Sequence, residues 1–333
     1  MGQNLSNGDI YRKTLTFSIR RLIFCVIYII ILAALTAGGF IIADKFIKGS
    51  GMGLVGMGIG FVIALVLIGI LSHFFMYVFR AGQIAVMTKA VTEDRLPDNC
   101  WEAGKAAVKE RFATVAIYYA ATSVIKGLFR ELGNAITKIG ESVGGESGNA
   151  VGSAISIVIN TIVEYLCDCC LGYVFYRKDE SAFKATCEGA VTFFKYGKTF
   201  LKNMGRIFGM GLASLILIGG AFFGVFFLIL GNFSSSIAVL ANELSELRNA
   251  DNQSVINFLS DPGNLTIAIA AVLALIVWSI IHGTFIKPFV LVGVLRNYMT
   301  TAIENIPDAS EFGILEKHSK KFKKYKREHA GEL

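Results

Sequence analysis

The sequence predicts an all-α protein, a polytopic bundle of about six membrane-spanning helices with amphipathic interfacial helices on the cytosolic side. Three observations predict it. The 333 residues are 54% hydrophobic and 17% charged, whereas a soluble domain runs near roughly 45–50% apolar and about 25% charged. Apolar runs of about 20 residues, the length a helix needs to cross the hydrocarbon core, recur along the chain. Lysine and arginine concentrate in alternate connections between those runs, as the positive-inside rule requires.

Five runs satisfy the length requirement, at 22–43, 53–79, 150–174, 207–231 and 265–291, and a shorter sixth lies at 113–129 with Lys126 near its end. The first run is longer than a signal-peptide core and has no convincing cleavage site, so it is expected to remain as a span. The connections then sort by charge. Arg12, Lys13, Arg20 and Arg21 precede the first span. Segments 80–112 and 177–206 and the tail from Lys287 onward hold six, seven and nine more. Together these four segments hold 26 of the 32 Lys and Arg, and the three intervening segments hold 6. Counting 113–129 as a span keeps the alternation, and both termini are then expected in the cytosol. The expected organisation is a cytosolic segment 1–21, a six-span domain 22–291 and a basic cytosolic tail 317–333, in a multi-pass protein of the plasma membrane.

Three of the charge-rich segments share a pattern. Asp98, Asp179 and Asp308 are each followed after three or four residues by an aromatic (Trp101, Phe183, Phe312). Fourteen residues on, each meets a Phe (Phe112, Phe193, Phe322). Asp is a good helix N-cap, and Asp308 with Glu311 reads as a capping box. Each segment reads as an amphipathic helix lying on the inner leaflet. Tyr77-Val78-Phe79 also recurs as Tyr173-Val174-Phe175. These echoes predict three parallel units (22–112, 113–200 and 207–322), each a two-span hairpin plus an interfacial helix. Helical amphipathicity alone is the other source of such an echo.

Ionisable groups inside a span are expensive and mark candidate sites. Ser156, Asn160, Glu164 and Asp168 are spaced four apart on the 150–174 run and form one polar stripe. Two carboxylates on one helix face suit a cation or a proton, with Asn160 and Tyr165 beside them. The structural alternative pairs Glu164 with a neighbouring helix and leaves Asp168 at the interface. His73 and His282, in the second and last spans, suit a proton relay or a plain inter-helix hydrogen bond. Trp278, Tyr118, Tyr119 and Tyr165 are candidates for an aromatic cage, or for packing and interface anchors. Gly49, Gly53, Gly56 and Gly60, and Gly220-x-x-x-Gly224, read as close helix contacts and not as a phosphate loop.

Several classes are not expected from what accompanies these residues. The net charge of +7 comes without a nucleic-acid-binding motif, so nucleic acid is not an expected partner. Cys167, Cys169 and Cys170 lack the His partners and the CxxC spacing of a zinc site, and no connection on the outer side carries a Cys for a disulfide. No hydrolase elbow, kinase motif or HExxH is present, so neither an enzyme nor a cofactor is expected. Met1-Gly2-Gln3-Asn4-Leu5-Ser6 fits the pattern for myristoylation at Gly2, and Asn232-Phe-Ser and Asn252-Gln-Ser fit glycan acceptors in a eukaryotic host. The Lys-dense stretch 317–327 reads as a solvated or headgroup-binding tail.

The stretch Cys167-Asp-Cys-Cys-Leu-Gly-Tyr, then Phe193 to Lys198, then Asn203-Met-Gly-Arg-Ile resembles a segment of choline-transporter-like proteins. The last span and the inner helix after it, Asn297 to Phe322, are similar to that family in layout. The likeness covers about the last 170 residues; the first half carries none. It implies transport of choline or a related amine, a cation that Glu164 and Asp168 would suit. The expected partners are therefore membrane lipids and a small cationic solute or ion, with self-association compatible. A non-transporting membrane scaffold or regulatory subunit, and an oligomeric ion channel, are the alternatives from other classes.

Overall fold

The computed structural model describes residues 5–46, 52–112, 123, 127, 148–200, 204–246, 253–318, 322, 323 and 327. Among the described residues the fold is helical throughout, with no strand. Four helices are long and apolar enough to cross a membrane: Asn7–Phe46, Val55–Glu93, Ile207–Gly231 and Pro262–Glu304. The expected span at 113–129 lies outside the described residues, apart from positions 123 and 127. The expected span at 150–174 falls within a helix, Gly148–Tyr176. The chain divides into two compact units, Met1–Gly205 with Pro288–Leu333, and Arg206–Lys287.

In the first unit, α1 (Asn7–Phe46) begins at a serine cap. The Ser6 Oγ accepts from the Asp9 N–H at 3.1 Å and donates to Asp9 Oδ2 at 2.6 Å, which satisfies one orphan donor of the first turn. At 40 residues the helix is about 60 Å long, twice the hydrocarbon thickness of about 30 Å. The same holds for α2 (Met52–Glu93), with 42 residues. The apolar run ends near Phe79, but the helix does not, because Ala81, Ile84, Ala85, Met87 and Ala90 are buried beyond it. Charge marks the edge of a span, whereas packing marks the end of the helix.

α1 and α2 form an antiparallel hairpin. Phe24 meets Phe75 and Phe79, at ring-centroid distances of 5.0 and 5.1 Å, and Phe17 lies against Gly82. At the far end the backbones touch through glycine. A Cβ added to Gly39 would strike the Gly56 carbonyl, and one added to Gly60 would strike the Leu35 carbonyl. Small residues allow such approach where lipid supplies no hydrophobic drive between helices. α2 ends at Asp94, whose φ of 55° puts it in the left-handed region. Its carboxylate accepts from the Leu5 N–H at 3.0 Å, and Arg296 donates to the Leu5 carbonyl at 2.7 Å.

Helices stand at the first two of the three expected interfacial positions, and both are held by protein. α3 (Cys100–Arg111) is capped by Asn99, which accepts from the Glu102 N–H, so the cap is the residue after Asp98. Asn and Asp cap equally well, and this register lets Cys100, Gly104 and Val108 form one buried edge. Gly104 and Gly82 pack backbone to backbone over the Phe17 ring. Trp101 packs on Phe17 and Phe79 and carries the Arg20 guanidinium 4.4 Å above its ring.

α4 (Gly148–Tyr176) and α5 (Ala182–Phe200) depart further from expectation. Ser181 caps α5 by accepting from the Lys184 N–H at 3.1 Å, two residues after Asp179. Every residue from Ala185 to Phe193 is buried, so this stretch of α5 is a core helix and does not lie on a surface. The cause is its small residues: Ala185, Cys187, Gly189 and Ala190 leave it narrow on more than one side. Tyr298, fully buried, donates to the Gly189 carbonyl at 2.7 Å and lies 3.8 Å from Cys170 Sγ. It stands on α11 (Lys287–Glu304), which is buried over most of its length. At the third repeat position Asp308 starts a 3₁₀ turn, Ala309–Phe312, its carbonyl accepting from the Glu311 N–H at 2.9 Å. The final described helix, α12 (Gly313–His318), packs on α5.

In the second unit, α6 (Met204–Ser214) runs through a π-turn, Leu215–Gly219, into α7 (Gly220–Gly231). Two short helices follow, α8 (Ser234–Glu246) and α9 (Gln253–Leu259). α10 (Pro262–Ile281) starts where Asp261 accepts from the Asn264 N–H at 2.8 Å, with Pro262 at its first position, a favoured helix start. A second π-turn, His282–Ile286, leads into α11. α10 returns along α6 and α7, so that Trp278 lies beside Gly219 and His282 beside Gly211.

Candidate functional site

The sequence expectation centres on the polar face of α4. Its two carboxylates sit in different environments. Glu164 is exposed, and Asp168, one turn on, is 2% exposed. Arg80, at the end of the apolar part of α2, donates to Asp168 Oδ1 from Nε at 2.7 Å and from Nη2 at 2.5 Å. Arg21 of α1 lies near Arg80, Asp168 and Glu164 and interacts with all three charges. Two guanidinium groups and two carboxylates thus gather in one place, contributed by α1, α2 and α4. Their charges sum to zero, which is how a low-dielectric site tolerates ions.

Tyr165 is buried beside this cluster, 3% exposed. The structure therefore brings together Glu164, Asp168 and Tyr165. The side chains of His73 and Asn160 lie outside the described residues, as do Gly2, Tyr118 and Tyr119. His282 belongs to the second unit, where its Nδ1 lies 3.1 Å from Ser214 Oγ.

Arg80 and Arg21 entered the sequence reading only as loop charges. A signal was present in Arg80, a cation that closes an apolar run of 27 residues, 53–79. Its partner is 88 positions away, and only the packing of α2 on α4 joins them.

A second buried ionic group closes the turn between α4 and α5. Arg177, 11% exposed, meets Glu180 at 3.1 Å, Asp179 at 3.2 Å and the 2%-exposed Glu188 at 3.4 Å. Tyr173 donates to Glu188 at 3.3 Å. Arg111, at the end of α3, donates to the Glu180 and Arg177 carbonyls at 2.8 and 3.0 Å. Burial pushes the Glu188 carboxyl above its ordinary range, against the pull of Arg177. These contacts cross the turn and tie α3, α4 and α5 together. Among the described residues no set of His, Cys, Asp and Glu is arranged to hold a metal.

Comparison of the chain with protein-family models, with curated proteins and with solved structures finds no match. The functional reading therefore rests on the residues themselves.

Proposed function

We propose that this chain is a multi-pass membrane transport protein for a small organic cation such as choline. In this reading it crosses the plasma membrane six times with both termini cytosolic, and its partners are lipids and the cation. The membrane setting is supported by the surfaces of its long helices. Ile30, Ile42, Val62, Leu217 and Leu228 are 58–72% exposed, in the company of many similar side chains. Exposed apolar surface on that scale is a liability in water and an asset in lipid.

One observation carries the transport reading: an exposed carboxylate, Glu164, stands one helical turn from a buried, arginine-bound one, Asp168. Glu164 supplies the negative charge a cation would meet, and a cation reaching it competes with Arg21. Asp168 positions the cluster through Arg80, with Tyr165 packed alongside. The resemblance to choline-transporter-like proteins names the amine.

Uptake of labelled choline into proteoliposomes tests this reading. The native chain is expected to accumulate label, with unlabelled choline competing. Glu164→Gln is expected to reduce uptake by about tenfold, the weight of one charge-assisted contact. No uptake by either protein removes the choline assignment.

The scaffold reading has its own supporting observation. The Arg80–Asp168 pair ties α2 to α4 as a structural strut would. An Asp168→Asn variant that unfolds more easily, beside a Glu164→Gln variant indistinguishable from the native chain in transport, favours that alternative.

A further inference from the structure

The hydrogen bonds around Ser214 in the second unit converge on one atom. Ser214 Oγ lies 2.8 Å from the Gly211 carbonyl, 3.1 Å from Trp278 Nε1 and 3.1 Å from His282 Nδ1. A hydroxyl has one hydrogen to give and two lone pairs. The indole N–H only donates and the carbonyl only accepts. The shortest contact is the one to Gly211; with the hydroxyl hydrogen placed there, His282 Nδ1 carries a hydrogen and donates it to Oγ. The imidazole also lies against the indole, with ring centroids 5.1 Å apart and planes inclined by 36°.

The backbone changes at the same level on both helices. The π-turn Leu215–Gly219 begins directly after Ser214, and the π-turn His282–Ile286 begins at the histidine itself. Single π-turns inside α-helices cluster at functional sites. The surroundings are apolar: residues 207–242 and 262–286 contain no ionisable side chain except His282. Arg206, on α6, and Lys287, five residues beyond the histidine, bound this helix pair at one end. Asp261, Glu243 and Glu246 lie at the start of α10 and on α8, toward the other.

We propose that Ser214, Trp278 and His282 form a proton-binding site. The neutral ring has two tautomers, and the one with hydrogen on Nε2 draws the Ser214 hydroxyl away from Gly211. Uptake of a proton from solvent water leaves hydrogens on both ring nitrogens. Only one arrangement then satisfies every group, with Nδ1 donating to Ser214 and Ser214 donating to Gly211. Protonation thus fixes the hydroxyl on the turn that precedes the first π-turn. This site stands independently of which solute the protein moves.

The chain contains two tryptophans, so Trp101→Phe leaves Trp278 as the sole indole, in contact with the titrating ring. A protonated imidazole quenches an indole it touches. In the full-length Trp101→Phe protein in lipid nanodiscs, emission is expected to fall by about half between about pH 8 and about pH 5, along a one-proton curve. With His282→Gln added, emission is expected to stay level. Emission that does not change with pH in the Trp101→Phe protein overturns the proposal, and so does an unaltered curve in the His282→Gln protein. If the histidine variant does not fold, Ser214→Ala decides. Removing the acceptor is expected to move the midpoint by at least about half a pH unit, and an unmoved midpoint overturns the proposal.

Discussion

Gly56→Val is expected to be among the most damaging single substitutions in the first unit, lowering stability by about 3 kcal/mol or more through overpacking. A Cβ at Gly56 would meet the Ala43 side chain and the Gly39 carbonyl oxygen, and would lie 3.0 Å from the Gly39 carbonyl carbon. Two of these obstacles are backbone, which cannot swing aside as a flexible side chain can. The helices must separate, and the neighbouring contacts of Gly39 and Gly60 open with them. Gly58→Ala provides the control. It lies two residues away with nothing within 4 Å of its would-be Cβ, and removing a helical glycine stabilises by about 0.5–1 kcal/mol. Thermal unfolding followed by size-exclusion chromatography in detergent compares the two. Equal effects at positions 56 and 58 would mean that the α1–α2 crossing is not as close as described.

Asp168→Ala is the second large effect. The carboxylate is buried and takes two hydrogen bonds from Arg80, whose side chain is 31% exposed. Removing one partner of a buried pair costs about 3–5 kcal/mol. Partial access of water to Arg80 brings the expected loss to about 2–3 kcal/mol. The Asp168→Met, Arg80→Met double variant is expected to recover most of that loss, since two apolar side chains replace two compensated charges. The same midpoint measurement checks both. If Asp168→Ala is neutral or stabilising, the carboxylate is not a strut.

The contrast between these two effects shows how far the sequence could be read. The apolar runs at 22–43, 53–79, 207–231 and 265–291 lie within helices because twenty apolar residues admit few other structures. The glycines at 53, 56 and 60 were legible as packing residues for the same reason. Helix length was not legible: α2 continues past Arg80 to Glu93 because Ala81 to Ala90 are buried by partners distant in sequence. Amphipathicity predicted α3 and α5 as helices, but it did not distinguish a helix on lipid from one enclosed by its own chain. The small residues Ala185, Cys187, Gly189 and Ala190 were the unused clue.

Within each unit's own group of candidate residues, ionisable residues stood out individually and their partners did not. Glu164, Asp168 and His282 were conspicuous because charge or imidazole is costly in an apolar run. Arg80 looked like the edge of a span, and Ser214 like an unremarkable hydroxyl in an apolar helix. Both acquire a role only when a helix 68 to 88 residues away in sequence is packed beside them.

Membrane flotation after an alkaline wash tests most directly that lipid is the solvent for the long helices. Membranes from cells expressing the full chain are stripped of peripheral proteins and floated through a density gradient. The account predicts that the protein rises with the lipid and is released by detergent alone. Protein left in the alkaline supernatant, or sedimenting free of lipid, would contradict it.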